Sequence, residues 1–119
     1  MKKILVVEDD AFIRDISTLK LTNHGYSVVS VPDGYSAKEA LSANSFDVVL
    51  LDIDLPDISG LQILKELRES EKNKKLAVIV FTNRDDDDQK IEFAKYTISG
   101  YFVKASTEYD EVFACIDSL

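Results

Sequence analysis

Apolar residues along this chain gather in short dense runs, separated by stretches in which they recur every three or four positions. Ile4–Val7, Val28–Val31, Val48–Leu51 and Ala77–Phe81 are runs rich in β-branched side chains, with Tyr101–Val103 a fifth, and runs of this kind predict strands. Those at Ile4, Val48 and Ala77 are apolar without interruption, the pattern of a strand covered on both faces. Between the runs, Phe12/Ile16/Leu19, Ala37/Ala40/Leu41, Leu61/Leu64/Leu67 and Val112/Ile116/Leu119 follow helical spacing. Asp85–Tyr96 supplies the fourth helix of the series with weak periodicity, which fits either a loosely held, movable element or a poorly amphipathic surface helix. Thr107 is a candidate cap for the last helix and Asp33, in the turn Pro32-Asp33-Gly34, for the second. Gly25 stands where a left-handed residue ends the first helix, which makes His24 a helix C-terminal residue rather than a phosphoacceptor.

Strand and helix therefore alternate five times. Strands joined through single helices pair in parallel by right-handed crossovers. The expected architecture is a doubly wound α/β sandwich, a five-stranded parallel sheet with five helices, formed by residues 1–119 as one domain. In such a sheet reactive groups collect beyond the carboxyl ends of the strands, near the point where strand order reverses.

Composition narrows the function. With 45% apolar and 30% charged residues, the 119-residue chain has ordinary globular make-up. Cys115 is the sole cysteine, so no internal disulfide forms and it is expected to pack as a small apolar residue. No apolar run is long enough to span a bilayer, and Met1-Lys2-Lys3 leads into a strand rather than a signal peptide, so a cytoplasmic protein without membrane contact is expected. The net charge of −8, from 22 acidic and 14 basic side chains, opposes direct nucleic-acid binding.

The strand ends carry the chemistry. Glu8-Asp9-Asp10 follows the first run, Asp52-Ile53-Asp54 the third, Thr82 the fourth and Lys104 the fifth. Each piece alone has an ordinary structural explanation: acids complement helix dipoles, threonine caps helices, and lysine is a solvated surface charge. Placed after four strands of one sheet, all face one crevice. Carboxylates held about 5 Å apart repel by several kcal/mol at an effective dielectric near 20, so the cluster calls for a cation. An oxygen-rich set without histidine or cysteine suits Mg2+. A lysine and a hydroxyl facing the same ion suit a phosphoryl group.

On these residues the chain resembles the receiver domains of two-component signalling, the CheY-like superfamily, over nearly its whole length. The match is carried by ILVVEDD (4–10), VVLLDIDLPDISG (48–60), VIVFTN (78–83) and GYFVK (100–104). The resemblance implies a flavodoxin-like (βα)5 fold and a signalling switch rather than an enzyme. In it Asp52 is the phosphoacceptor; Asp9 binds magnesium directly, Glu8 through water, and the backbone carbonyl of Asp54 completes the protein's share. Lys104 and Thr82 contact the phosphoryl group, and Tyr101 is the switch aromatic that turns inward as Thr82 moves. The implied partners are a histidine kinase or phosphotransfer protein as donor, and an output domain, partner protein or second copy at the face of the fourth helix, fifth strand and fifth helix.

The chain departs from the family pattern at three positions. Ala105 follows Lys104 where receivers carry a proline in a cis peptide, which leaves the reach of Lys104 open, since a cis bond before alanine costs roughly 2.5–4 kcal/mol. Asn83 replaces a small residue and is expected to occlude the site in part. Asp54 adds a third acidic side chain, with tighter metal binding, positioning of water and exposure to solvent as its alternatives. The run Asp85–Asp88 reads as a helix start that favours basic partners. Two competing functions follow: a receiver-like interaction module not controlled by phosphorylation, and a small phosphohydrolase with Asp52 as nucleophile and Asp54 as general acid.

Overall fold

The computed structural model describes residues 1–119. Strands β1 (Lys3–Val7), β2 (Ser27–Val31), β3 (Val48–Leu51), β4 (Ala77–Thr82) and β5 (Gly100–Val103) form one sheet, all parallel, in the order β2-β1-β3-β4-β5. Helices α1 (Ala11–Asn23), α2 (Gly34–Ala43), α3 (Gly60–Glu69), α4 (Asp87–Ala94) and α5 (Tyr109–Asp117) connect and flank it, with a single 3-10 turn at Lys104–Ser106. The doubly wound sandwich is thus realised, and strand order reverses between β1 and β3.

The two-residue period of the strands divides the core. Leu5, Val7, Val49, Leu51, Val78 and Val80 point to the side covered by Ala37 and Leu41 of α2, Ile63, Leu64 and Leu67 of α3, and Phe93 of α4. Ile4, Val6, Val48, Leu50, Ile79 and Phe81 point to the other side, covered by Leu21 of α1 and Val112 and Ile116 of α5. Each fully buried aliphatic side chain contributes about 1.5–3 kcal/mol, which is why the uninterrupted apolar runs fall in the three central strands.

Helix ends follow local chemistry. Asp10, Asp33, Ser59 and Asp86 accept the N3 backbone N–H of α1 to α4, and Gly25 (φ +103°) reverses the chain after His24 ends α1. At α5 the cap is Glu108, whose N–H donates to the Glu111 carboxylate at 2.8 Å, and not Thr107. The apolar spacing on α1 is also displaced from the core. Phe12 and Leu19 are 74% and 60% exposed, while Ser17 and Leu21 are buried, because Tyr109 meets Ser17 in a 2.7 Å hydroxyl contact that sets the helix's rotation. Leu119 lies beyond α5 and is half exposed.

The C-terminal ends of α1 and α5 are joined by Asp117, which accepts from the Tyr26 hydroxyl and pairs with His24 Nε2 at 3.1 Å, while the His24 ring stacks on Phe113. The Tyr26 and His24 hydrogen bonds hold the Asp117 carboxyl below its usual range. A lowered folded-state pKa stabilises above the unfolded value and ceases to do so as pH falls through the folded one. Asp117→Asn is therefore expected to lower the melting temperature at pH 7, with the deficit closing as pH falls below the ordinary aspartate range. Thermal unfolding of both proteins between pH 7 and pH 2.5 checks this, and a constant gap would exclude Asp117 ionisation as its source. Cys115 packs half-buried beside Phe102 and Ser99, as expected of a small apolar residue. No helix is long and apolar enough to cross a membrane.

Candidate functional site

The register places the strand ends side by side. Val7 aligns with Leu51, Leu51 with Val80, and Thr82 with Val103. The residues that follow leave the sheet in one crevice at the reversal between β1 and β3. Its floor is fixed by backbone, as Glu8 N–H donates to the Val31 carbonyl and Asp52 N–H to that of Val7, both at 3.1 Å.

Glu8, Asp9 and Asp52 each offer a carboxylate oxygen within 4.8 Å of the others. Glu8 and Asp52 are buried, at 3% and 6% exposed. Lys104 joins them: its ammonium pairs with Glu8 and lies 3.0 Å from Asp52 Oδ2. Burial pushes the Glu8 carboxyl up, against its hydrogen bond from Lys104 and with the repulsion of Asp52. Burial also works against the Lys104 ammonium, yet the hydrogen bonds and charges of Glu8 and Asp52 outweigh it and hold the amine above its usual range. Glu8 is thus raised by its burial in spite of Lys104, and Lys104 by its two carboxylates in spite of burial. This oxygen-only set, more acidic than one lysine balances, fits a hard divalent cation such as magnesium.

Lys104 reaches Asp52 with every peptide trans, through the 3-10 turn that begins at Lys104. The missing proline therefore does not withdraw the lysine. Asn83 was expected to occlude the site; it stands exposed on the wall of an open cleft of about 510 Å³, which Asp10, Ile13 and Asp54 also line. A short polar side chain at the rim leaves the mouth clear.

Thr82 and Tyr101 lie outside that lining. Thr82 is fully buried at the end of β4, its hydroxyl accepting the Arg84 N–H at 3.3 Å. Tyr101, on β5, donates its hydroxyl to the Arg84 carbonyl at 2.8 Å and sets its ring edge-on to Phe93. Of the three alternatives for Asp54, exposure to solvent holds, and the Arg84 guanidinium grips both its oxygens there, at 2.9 and 3.0 Å. A carboxylate held twice by a guanidinium is not poised to give up a proton, which weighs against a general-acid role.

Sequence reasoning overlooked two arginines. Arg14 of α1 donates to the carbonyls of Glu8 (3.0 Å) and Asp9 (3.4 Å), steadying the acidic loop. Arg84 had a readable signal: it stands two residues past Thr82 as Asp54 stands two past Asp52, on adjacent parallel strands. Gly60 is also required. A Cβ there would lie 2.4 Å from the Asp52 carbonyl oxygen and 2.9 Å from Ile53 Cα.

This fold and site define a phosphoryl-responsive α/β switch of the kind used in two-component signalling. The chain belongs to the response regulator receiver domain family, whose model matches residues 4–116. It is 34% identical over 104 residues to the response regulator ArlR of Staphylococcus saprophyticus, covering 87% of this chain and 46% of that protein. It is 32% identical over 117 residues to the two-component response regulator PhoP of Pseudomonas aeruginosa, covering 98% of this chain and 51% of that protein. The chain thus spans about half the length of the curated relatives it matches. Among solved structures, response regulator TrrA of Thermotoga maritima in complex with Mg2+-BeF superposes with a TM-score of 0.87 at 30% identity, covering 99% of this chain and 98% of that one.

Proposed function

We propose that Asp52 accepts a phosphoryl group from a histidine kinase or phosphotransfer protein in a magnesium-dependent reaction. The observation that carries this reading is the buried Glu8–Lys104–Asp52 cluster at the floor of an open acidic cleft. Asp9 would hold magnesium directly, Glu8 through water, and the Asp54 carbonyl would complete the set. Bound there, the ion supplies positive charge that offsets repulsion between the carboxylates and the incoming phosphoryl oxygens.

The chain's own groups do the rest. Lys104 holds Asp52 Oδ2, leaving the other carboxylate oxygen to attack phosphorus as the donor's bond to it breaks. Once the acyl phosphate forms, the ammonium pairs with a phosphoryl oxygen and the Thr82 hydroxyl donates to another. As Thr82 moves toward the phosphoryl group, Tyr101 turns inward. The change is read at the face of α4, β5 and α5, by an output domain, partner protein or second copy. The exposed Phe12 of α1, next to cleft residue Ile13, suits docking of the donor protein. The net charge of −8 disfavours direct contact of this domain with nucleic acid.

Beryllofluoride with magnesium mimics the aspartyl phosphate. Amide and tyrosine-ring resonances near Asp52 and near Tyr101 are expected to shift together on its addition. Failure of both regions to move would leave a receiver-like interaction module independent of phosphorylation. Labelling by acetyl phosphate that stops at one equivalent would support a switch, and sustained turnover of a generic phosphate ester would support a phosphohydrolase.

A further inference from the structure

Helix α2 is tied at both ends to the segments that flank α3. Its first backbone N–H groups have no partner within the helix. Asp33 takes that of Ser36, and Asp57, from the loop between β3 and α3, takes two more: Oδ1 accepts from Gly34 and Oδ2 from Tyr35, both at 2.8 Å. At the opposite end the Lys72 ammonium donates to the carbonyls of Leu41, Ser42 and Asn44 at 2.8, 3.1 and 2.9 Å. A carboxylate at the start and an ammonium at the end both match the helix dipole, and Ala37 and Leu41 pack into the core between them. Helix α2 is therefore a fixed post.

The loop bound to that post is the one that leaves the phosphoacceptor. Asp57 follows Asp54 by three residues, and Pro56 between them locks one backbone torsion, so a shift at Asp57 carries to the Asp54 carbonyl. Oδ1 of Asp57 also accepts from the Ile58 N–H at 2.8 Å. Desolvation works against the carboxylate, yet the N–H groups of Tyr35, Gly34 and Ile58 outweigh it and hold its carboxyl below the usual range. The contact is steric as well: a Cβ on Gly34 would lie 2.2 Å from Ile58 Cγ1 and 3.1 Å from Asp57 Oδ1, so glycine is what lets the helix start come this close. The loop's other side-chain tie, Asp54 to Arg84, is to a long exposed side chain. Asp57 holds backbone, which makes it the firmer of the two.

We infer that Asp57 is a positioning residue for the magnesium site: by holding the Gly34 and Tyr35 N–H groups it pins the β3–α3 loop to α2 and so fixes the Asp54 carbonyl proposed as a ligand. The inference rests on the magnesium reading of that carbonyl and adds what keeps it in place. Asp57 acts through the backbone of residues 54–57 rather than by touching the ion or the phosphoryl group.

Magnesium titrations followed by amide NMR near Asp9 and Asp52 compare Asp57→Ala, Asp57→Glu and Lys72→Met with the unaltered 119-residue chain, at a temperature where circular dichroism shows each folded. Hydrogen exchange at the Gly34 and Tyr35 amides, without magnesium, reports the tie itself. Asp57→Ala is expected to speed exchange at both amides and to weaken magnesium binding about three- to tenfold, near the lower edge of what losing a partner that supports a ligand costs a metal site. Asp57→Glu keeps the charge and carries the carboxylate one methylene farther, which displaces the loop, so it should weaken binding in the same direction and by less. Lys72→Met frees the far end of α2 and should leave magnesium affinity unchanged. Unchanged affinity in Asp57→Ala, with both amides exchanging faster, would overturn the inference. So would weakening in Ala with none in Glu, which marks a charge acting at a distance, or equal weakening in Lys72→Met, which marks a general loosening of α2. Should the alanine variant not fold, Asp57→Glu decides by the same measure: weakened binding supports the inference and unchanged binding overturns it. If magnesium moves no amide near Asp9 or Asp52 in the unaltered chain, the magnesium reading itself fails, and the two failures are thereby distinct.

Discussion

Asparagine in place of Asp52 is expected to reduce labelling by acetyl phosphate by on the order of a hundredfold or more, while leaving the fold intact. The amide lacks the anionic oxygen that attacks phosphorus; of the neighbouring acids, Glu8 is tied to Lys104 and Asp54 to Arg84, and Asp9 is the proposed direct ligand of magnesium. Stability in the absence of magnesium should stay within about 1 kcal/mol and move upward if it moves. Asparagine retains a carbonyl oxygen to accept from Lys104 and removes the negative charge that repels Glu8. Mass spectrometry of the intact chain after incubation with acetyl phosphate, alongside thermal unfolding, checks both parts. Equal labelling of the variant would remove Asp52 from its role.

Gly60→Ala should damage both stability and labelling. Its Cβ would enter within 2.4 Å of the Asp52 carbonyl oxygen, and backbone cannot move aside as a flexible side chain would. Meanwhile Gly60 N–H donates to the Ile53 carbonyl at 2.9 Å, so α3 cannot back away without breaking that bond. Overpacking of this kind costs about 1–3 kcal/mol, or roughly 4–12 °C in melting temperature for a domain of this size. Because the displaced atoms belong to the phosphoacceptor itself, labelling should slow even at temperatures where the variant is fully folded. Circular dichroism melting and the acetyl phosphate assay at 10–15 °C below the variant's midpoint separate the two effects. An alanine variant with wild-type stability would show that the loop relaxes freely.

Much of the site was legible before any coordinates. Glu8, Asp9, Asp52, Thr82 and Lys104 each follow a strand run, and parallel pairing carries strand ends to one edge whatever the intervening helices do. Helix rotation was less accessible. Phe12/Ile16/Leu19 has helical spacing, yet Ser17 and Leu21 face inward, because the Tyr109 hydroxyl offers Ser17 a partner from a helix 92 residues away in the chain. The α5 cap was misplaced by one residue because Thr107 and Glu108 are both extended and both can precede a helix, and the helix begins one residue later, with Glu111 accepting the Glu108 N–H.

What the amino-acid order determined by itself was the alternation of strand and helix, the parallel sheet, and the delivery of acids, hydroxyl and ammonium to one edge. These depend on periodicity and chain connectivity, which are local or topological. Only the tertiary structure decided how charge is shared there. Lys104 spans Glu8 and Asp52 through a trans backbone, and Arg84 claims the Asp54 carboxylate. Those outcomes turn on distances of a few ångströms between side chains remote in sequence, and Coulomb and hydrogen-bond energies vary too steeply over that range for spacing along the chain to foretell them.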